Sequence, residues 1–318
     1  MGFEHMPVML DEAIASLAPS PGDVIVDCTL GGAGHSMHIA SRIAPDGILV
    51  GIDRDPSALE AASTRLEEVP CKVVLVRGNF AHLEQALNEA NVTSPRGFLF
   101  DFGVSSPQLD IAERGFTYRE DAPLDMRMDP DGSITAEDIV NNASQQELTD
   151  IISDYGEERW AARIAQFIVD RRNSEPITTT GQLVSVILAA VPHGARRDGP
   201  HPARRTFQAL RIAVNDELGA VKRGLEAAIE LASPGGRIVA ISYHSLEDRI
   251  VKEVFRSHLR PCVCPPSAPV CVCGRRPSLS RASSRPMTPS DDEIEANPRS
   301  RSAKLRAATK VLGAEGDE

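Results

Sequence analysis

The stretch Val24-Ile-Val-Asp-Cys-Thr-Leu-Gly-Gly-Ala-Gly-His-Ser36 decides the fold. Its three β-branched residues read as a short strand buried on both faces, and the acid and glycines behind them as a turn into a helix. Glycines in such a turn let a ligand approach the backbone. Working outward, the pattern returns in strands at 48–53, 72–76 and 97–101, with helical stretches at 57–68 and 82–90 between them. Strands that alternate with helices imply βαβ units and a parallel sheet. A fifth strand at 236–242 follows the breaker Ser233-Pro-Gly-Gly236, and 303–312 reads as a last, edge strand. The expected fold class is α/β with a Rossmann-like sheet.

Strands four and five are far apart, and the chain between them reads differently. Ser144-Gln-Gln-Glu147 has capping-box form ahead of Leu148, Ile151, Ile152 and Tyr155 at helical spacing. Further stripes follow at Trp160, Ile164, Phe167 and Ile168 and at Leu183, Val186 and Ile187, with no strand signal from 133 to 214. A helix from Phe207 through Val214, Val221 and Leu225 to Ile229 leads back to the sheet. The expected organisation is a first sheet part at 1–110, an inserted helical domain at 111–214, and a second sheet part at 215–318. A Cys/Pro/Arg-rich segment at 261–290 within it lacks periodicity and reads as a loop.

At 318 residues, 42% apolar and 25% charged, the chain is neither disordered nor fibrous. Its longest apolar run, 183–191, is far short of the roughly 18 residues a membrane helix needs. The N-terminus lacks the basic and apolar regions of a secretory signal, so a cytoplasmic protein without a membrane partner is expected. The net charge of −11 argues against general affinity for nucleic acid. It is unevenly placed, however: residues 249–310 hold 13 Lys/Arg against 5 Asp/Glu, and Arg196, Arg197, Arg204, Arg205 and Arg211 form a second basic cluster. Basic faces on an acidic protein suit an anionic macromolecule bound in one orientation.

In open α/β sheets, ligands bind beyond the carboxyl ends of the strands. Four such ends carry suggestive residues: Asp27 before the glycine turn, Asp53, Gly78-Asn79-Phe80, and Asp101 before Ser105 and Ser106. A dinucleotide fingerprint fails, because its third glycine would fall on Met37. Asp27 would also repel a pyrophosphate, whereas an acid there favours a cationic amino-acid group. S-adenosylmethionine carries such a group, with a ribose for Asp53. A nicotinamide-dependent dehydrogenase is the weaker alternative. A non-catalytic RNA-binding ribosome-assembly factor that retains the fold is another.

Longer strings then narrow the reading: His5-Met-Pro-Val-Met-Leu-Asp-Glu12, Ile52-Asp-Arg-Asp-Pro56, Asp101-Phe-Gly-Val-Ser-Ser-Pro-Gln-Leu-Asp110, Pro123-Leu-Asp-Met-Arg-Met-Asp-Pro130, His201-Pro-Ala-Arg-Arg-Thr-Phe-Gln208 and His244-Ser-Leu-Glu-Asp-Arg249. In this order they resemble the bacterial ribosomal RNA small-subunit methyltransferase H family, from about residue 5 to about 312. The resemblance implies N4-methylation of a cytidine in the decoding region of 16S ribosomal RNA, with S-adenosyl-L-methionine as cofactor and 16S rRNA or the small ribosomal subunit as partner. It also implies cofactor contacts from Ala33, Gly34, His35, Asp53, Phe80, Asp101 and Gln108. Ala33 stands where the family more usually has glycine, which matters only if φ is positive there.

The reaction needs acceptors for the amine hydrogens of the cytosine, and Asp101, Ser105 and Ser106 are the candidates. Phe102, Phe116 and Tyr118 are candidate stacking platforms for the base. His244 follows strand five, but Ser245-Leu-Glu-Asp248 reads as a capping box, so helix initiation accounts for that neighbourhood. Cys262, Cys264, Cys271 and Cys273 form a C-x-C…C-x-C set that is compatible with a structural zinc, with reduced thiols or with disulfides. A catalytic metal is not expected, since the cofactor supplies the electrophile.

Overall fold

The computed structural model describes residues 7–196, 201–265 and 270–312, without the side chains of 106 and 107. Its strands are β1 (Val24–Asp27), β2 (Ile48–Asp53), β3 (Lys72–Arg77), β4 (Gly97–Asp101), β5 (Arg237–Ser242), β6 (Leu279–Ala282) and β7 (Lys304–Lys310). The helices are α1 (Leu10–Leu17), α2 (Gly34–Ile43), α3 (Pro56–Arg65), α4 (Leu83–Ala90), α5 (Ser106–Asp110), α6 (Ala136–Asn142), α7 (Gln145–Gly156), α8 (Ala161–Arg172), α9 (Thr180–Ala190), α10 (Ala203–Asn215), α11 (Glu217–Leu231), α12 (Ser245–Leu259) and α13 (Asp291–Ala296). The chain forms two compact units, Met1–Gly103 with Leu218–Glu318, and Val104–Glu217.

In the first unit the strand order is β3-β2-β1-β4-β5-β7-β6. β1 to β5 pair in parallel, and β7 runs antiparallel to both β5 and β6. Period-two alternation divides the strand residues between two faces. Ile25, Leu49, Leu99, Val239 and Ile241 meet α1, α2 and Ala62 of α3, whereas Val26, Val50, Ile52, Phe98, Phe100 and Ile238 meet α4, α11 and α12. Both faces are covered, which is why the strands read as unbroken apolar runs. This is the Rossmann-like α/β class.

The second unit is helical. Leu148, Ile152, Ile164, Ile168, Leu183, Ile187, Phe207 and Leu210 form its core, and its β pairing among described residues is a single bridge between Pro123 and Thr179. Capping boxes start α6, α7 and α9 at Thr135/Asp138, Ser144/Glu147 and Thr179/Gln182. The buried Asn215 ties the unit's entry segment to α10: its Oδ1 accepts from Met128 N at 2.8 Å and its Nδ2 donates to Met126 O at 2.8 Å.

Four expectations need correction. The segment 261–290 is not all loop, because β6 lies within it; only Leu279 of that strand is buried, so sequence offered little alternation to see. The strand expected at the edge, β7, is therefore interior, with β6 outside it. The single helix expected across 207–229 is two, broken at Asp216, which adopts the left-handed conformation at φ 47°. Phe207 and Leu210 serve the helical core while Val221 and Leu225 serve the sheet core, so one stripe could not continue straight through. Finally, the capping box at α12 starts one residue early: the His244 ring accepts from Glu247 N at 3.4 Å, and the Glu247 carboxylate accepts from His244 N at 3.3 Å.

Candidate active site

β1 is followed in sequence by β2 and β3 on one side, whereas β4 and β5 lie on its other side. This reversal of direction between β1 and β4 opens a crevice at their carboxyl ends, where such sheets bind ligands. The last residues of β2, β1 and β4 are Asp53, Asp27 and Asp101.

Each carboxylate is held by its own loop. Asp53 accepts from Gly31 N at 2.8 Å on one oxygen and from Asp55 N at 2.9 Å on the other. Asp55, not Asp53, caps α3, accepting from Ser57 N at 3.0 Å. Asp27 is 2% exposed and accepts from Ser36 Oγ at 2.6 Å and Thr29 N at 3.2 Å. The Tyr243 hydroxyl donates to Asp101 at 2.6 Å, while the Asp101 amide donates to Thr29 Oγ1 at 2.6 Å. His35 donates from Nε2 to the Val8 carbonyl at 3.0 Å, since a carbonyl only accepts, and its Nδ1 stands 3.8 Å from the other Asp101 oxygen.

Burial pushes all three carboxyls above the ordinary carboxylate range. For Asp101 this outweighs the opposing effects of His35 and Tyr243, and the nearby Asp27 and Glu247 raise it further. Burial also drives the Tyr243 hydroxyl well above its usual value, and Asp101 adds to that rise, so the phenol remains a donor. Carboxylates crowded so that Asp27 and Glu247 act on Asp101 make an environment that favours a cationic ligand.

The glycine turn fits a closely approaching ligand. Gly31 has φ 48°, and a Cβ on Gly32 would meet no atom within 4 Å, so the backbone is open there. Ala33 caps α2 with φ 59° and is fully buried. A left-handed alanine costs about 1–2 kcal/mol. Replacing it with glycine removes that cost but gives up a buried methyl worth about 0.8 kcal/mol and adds unfolded-state freedom worth about 0.5–1 kcal/mol. Ala33→Gly is therefore expected to shift stability by less than about 1 kcal/mol in urea unfolding, whereas a loss of several would show that the methyl packing dominates.

Phe80, half-buried after β3, sets its ring 5.7 Å from Phe100 and 5.8 Å from Phe102, with the Arg54 guanidinium 6.0 Å from its centroid. Phe102 belongs to the sheet core and Phe116 to the helical core, so neither is an exposed stacking platform. Tyr118 stacks on His201 with centroids 4.9 Å apart.

In the helical unit, the Gln108 side chain accepts from Ser105 N at 3.0 Å and is buried. Ser106 opens α5, and its side chain lies outside the described residues, as does all of Arg197. Arg204 is exposed. Arg196 donates to Val191 O at 2.8 Å, and Arg205 to Glu157 O at 2.9 Å. Arg211 makes a two-pronged pair with the buried Glu217 at 2.8 and 2.9 Å. The four clustered cysteines, in the sheet unit, have sulfurs that all lie within 4.8 Å of one another.

Sequence reading reached the three acids but missed Tyr243 and Glu247. Tyr243 follows β5 directly, as Asp101 closes β4, and the adjacency of those strands was the available signal. Glu247 accepts from Tyr243 N at 2.8 Å and so orients the residue that holds Asp101.

A Rossmann-like sheet in the order given, with acids on the tips beside its reversal point and a glycine turn under them, defines a class I methyltransferase fold. The chain belongs to the MraW methylase family, whose profile matches residues 2–311. It is 53% identical over 315 residues to the ribosomal RNA small subunit methyltransferase H of Symbiobacterium thermophilum, covering 99% of both chains. Similar relatives carrying the same name come from Heliobacterium modesticaldum, 53% identical over 312 residues, and Geobacter sulfurreducens, 55% over 311. In each, the match covers 98% of this chain and 100% of the relative. Among the described residues no helix is long and apolar enough to cross a membrane.

Proposed function

We propose that this chain transfers a methyl group from S-adenosylmethionine to the exocyclic N4 of a cytidine in the decoding region of 16S ribosomal RNA, acting in the cytoplasm on that RNA or on the small subunit that contains it. The observation that carries the reading is the set of three acids at adjacent strand tips, Asp27 buried and Asp53 and Asp101 half-buried, beside an open glycine backbone. The relatives' shared name supports the acceptor class, and the resemblance of the longer strings supports the cytidine.

When bound, the cofactor supplies a methyl group already activated by its sulfonium charge. Asp53 has two of its four lone-pair sites filled by Gly31 and Asp55, which leaves two for ribose hydroxyls. Asp27 provides negative charge for the amino-acid end, and the Phe80 ring an apolar face for adenine. Asp101, a quarter exposed, accepts one hydrogen of the target amine. That bond helps N4 to pyramidalise, because its lone pair is otherwise delocalised into the ring. Held by Asp53, Asp27 and Phe80, the cofactor would supply the methyl carbon to N4 and keep the electrons of the carbon–sulfur bond on its sulfur. The surplus N4 proton then passes to Asp101, whose raised pKa suits it to receive one. Positioning does much of the rest, with nitrogen held about 3 Å from the carbon. Arg204 and Arg205 supply charge toward the RNA backbone.

Asp53→Ala removes a charged hydrogen-bond acceptor worth about 1.5–3 kcal/mol, so cofactor affinity is expected to fall roughly 10- to 100-fold by calorimetry. Unchanged affinity would remove its ribose role.

A pH dependence follows from the raised carboxyls. In the ligand-free chain they keep protons that the unfolded chain has released, so they favour folding at low pH. That contribution is lost as pH rises from the ordinary carboxylate range through the native values. A cation binds the ionised forms, so its affinity runs the other way and increases with pH across the same window. S-adenosylhomocysteine, which lacks the sulfonium charge, should respond less steeply in the same titrations. Equal slopes for the two would remove the charge argument.

The experiment is incubation with methyl-labelled cofactor and small subunits lacking the modification, followed by mapping of the label. Label on N4 of one cytidine is expected. Label on protein or DNA, or RNA retention without transfer, would overturn the reading.

A further inference from the structure

Residues 260–278 leave α12 and return to β6, closed at the base by Ser278 N donating to His258 O at 3.0 Å. None of the described residues in this span is buried, and its valines face solvent: Val263 is 62% exposed, Val270 69% and Val272 86%. A loop organised by apolar contact would turn those valines inward. Here the cysteines converge instead. Cys271 Sγ lies 3.5 Å from Cys262 Sγ and from Cys273 Sγ and 3.9 Å from Cys264 Sγ, and Cys273 lies 3.9 Å from Cys262. A disulfide holds its sulfurs at about 2.05 Å, so these are four separate thiols. A tetrahedral zinc with Zn–S bonds of about 2.3 Å places its sulfurs about 3.8 Å apart, close to the 3.5–3.9 Å of these four pairs, and all four sulfurs lie within 4.8 Å of one another.

Two further features suit a metal. The Val272 amide donates to Cys264 Sγ at 3.4 Å, the kind of outer contact that orients a thiolate ligand. The span 260–277 contains Arg260, Arg275 and Arg276 and no acid, which offsets the formal −2 of four thiolates around a dication. We infer that Cys262, Cys264, Cys271 and Cys273 form an all-thiolate structural zinc site that fixes this loop between α12 and β6. Binding displaces the four thiol protons to solvent and involves no oxidation. The site is closed by its four protein ligands, so it serves structure and not catalysis.

The test is elemental analysis and native mass spectrometry of the full chain, purified under reducing conditions without chelator. About one zinc per chain is expected. Cys264→Ser and Cys273→Ser should each drop it below a tenth, while Val270→Ser, at an exposed side chain outside the ligand set, leaves it unchanged. Cobalt(II) added to the stripped protein should give the intense ligand-field spectrum of tetrahedral thiolate coordination. Stripping should open residues 260–277 to protease while the main unfolding transition persists, so a loss of metal is distinguishable from a failure to fold. Absence of metal, iron in its place, or disulfides among these cysteines in the intact mass would each overturn the inference.

Discussion

Asp101→Asn is expected to lower turnover about 10²- to 10⁴-fold, the range for losing a positioned proton acceptor. The substitution keeps the shape of the side chain and removes its charge and its capacity to take a proton. Cofactor affinity should fall much less than turnover, because Asp53 and Asp27 remain. Tyr243→Phe separates positioning from chemistry: it deletes the 2.6 Å bond to Asp101 but leaves the carboxylate in place. One neutral-to-charged hydrogen bond is worth about 1.5–3 kcal/mol, so a loss of roughly 10- to 100-fold bounds its effect. Single-turnover rates with saturating cofactor read both variants. Full turnover by Asp101→Asn would remove Asp101 from the reaction.

Arg211→Ala is expected to cost about 3–5 kcal/mol, because it strands the buried Glu217 carboxylate without its guanidinium. This residue was grouped in the sequence with arginines expected to meet an anionic macromolecule, yet its side chain is 16% exposed and paired with Glu217. Arg204→Ala makes the contrast: an exposed arginine away from special contacts changes stability by within about 0.5 kcal/mol. Its effect should appear instead as weaker binding to RNA and a shallower salt dependence. Urea unfolding followed by circular dichroism measures the first, and filter binding at several salt concentrations the second. If Arg211→Ala left stability unchanged, the pair with Glu217 would be a surface contact and Arg211 would rejoin the candidate RNA-binding arginines.

The sheet was legible because parallel strands covered on both faces leave continuous β-branched runs: β1, β2 and β4 lie where Val24-Ile-Val-Asp27 and its successors put them. Their terminal acids were legible because the ends of such strands are where chemistry collects. Other features depend on contacts that no local pattern encodes. β6 presents one buried residue, and its pairing with β7 joins segments that sequence gives no reason to match. The bond from Tyr243 to Asp101 spans 142 positions. The break at Asp216 arises where consecutive helices answer to different cores, and periodicity alone ran through it. Ala33 shows the reverse case: its unusual residue type was visible, but only the backbone revealed φ 59° and hence its cost.

Isothermal titration of the purified chain with S-adenosylmethionine most directly probes whether desolvated acids on neighbouring β tips exist to receive a sulfonium compound. One saturable event per chain, weakened in Asp53→Ala, is the predicted result. A flat trace with both the methyl donor and its demethylated product would contradict it.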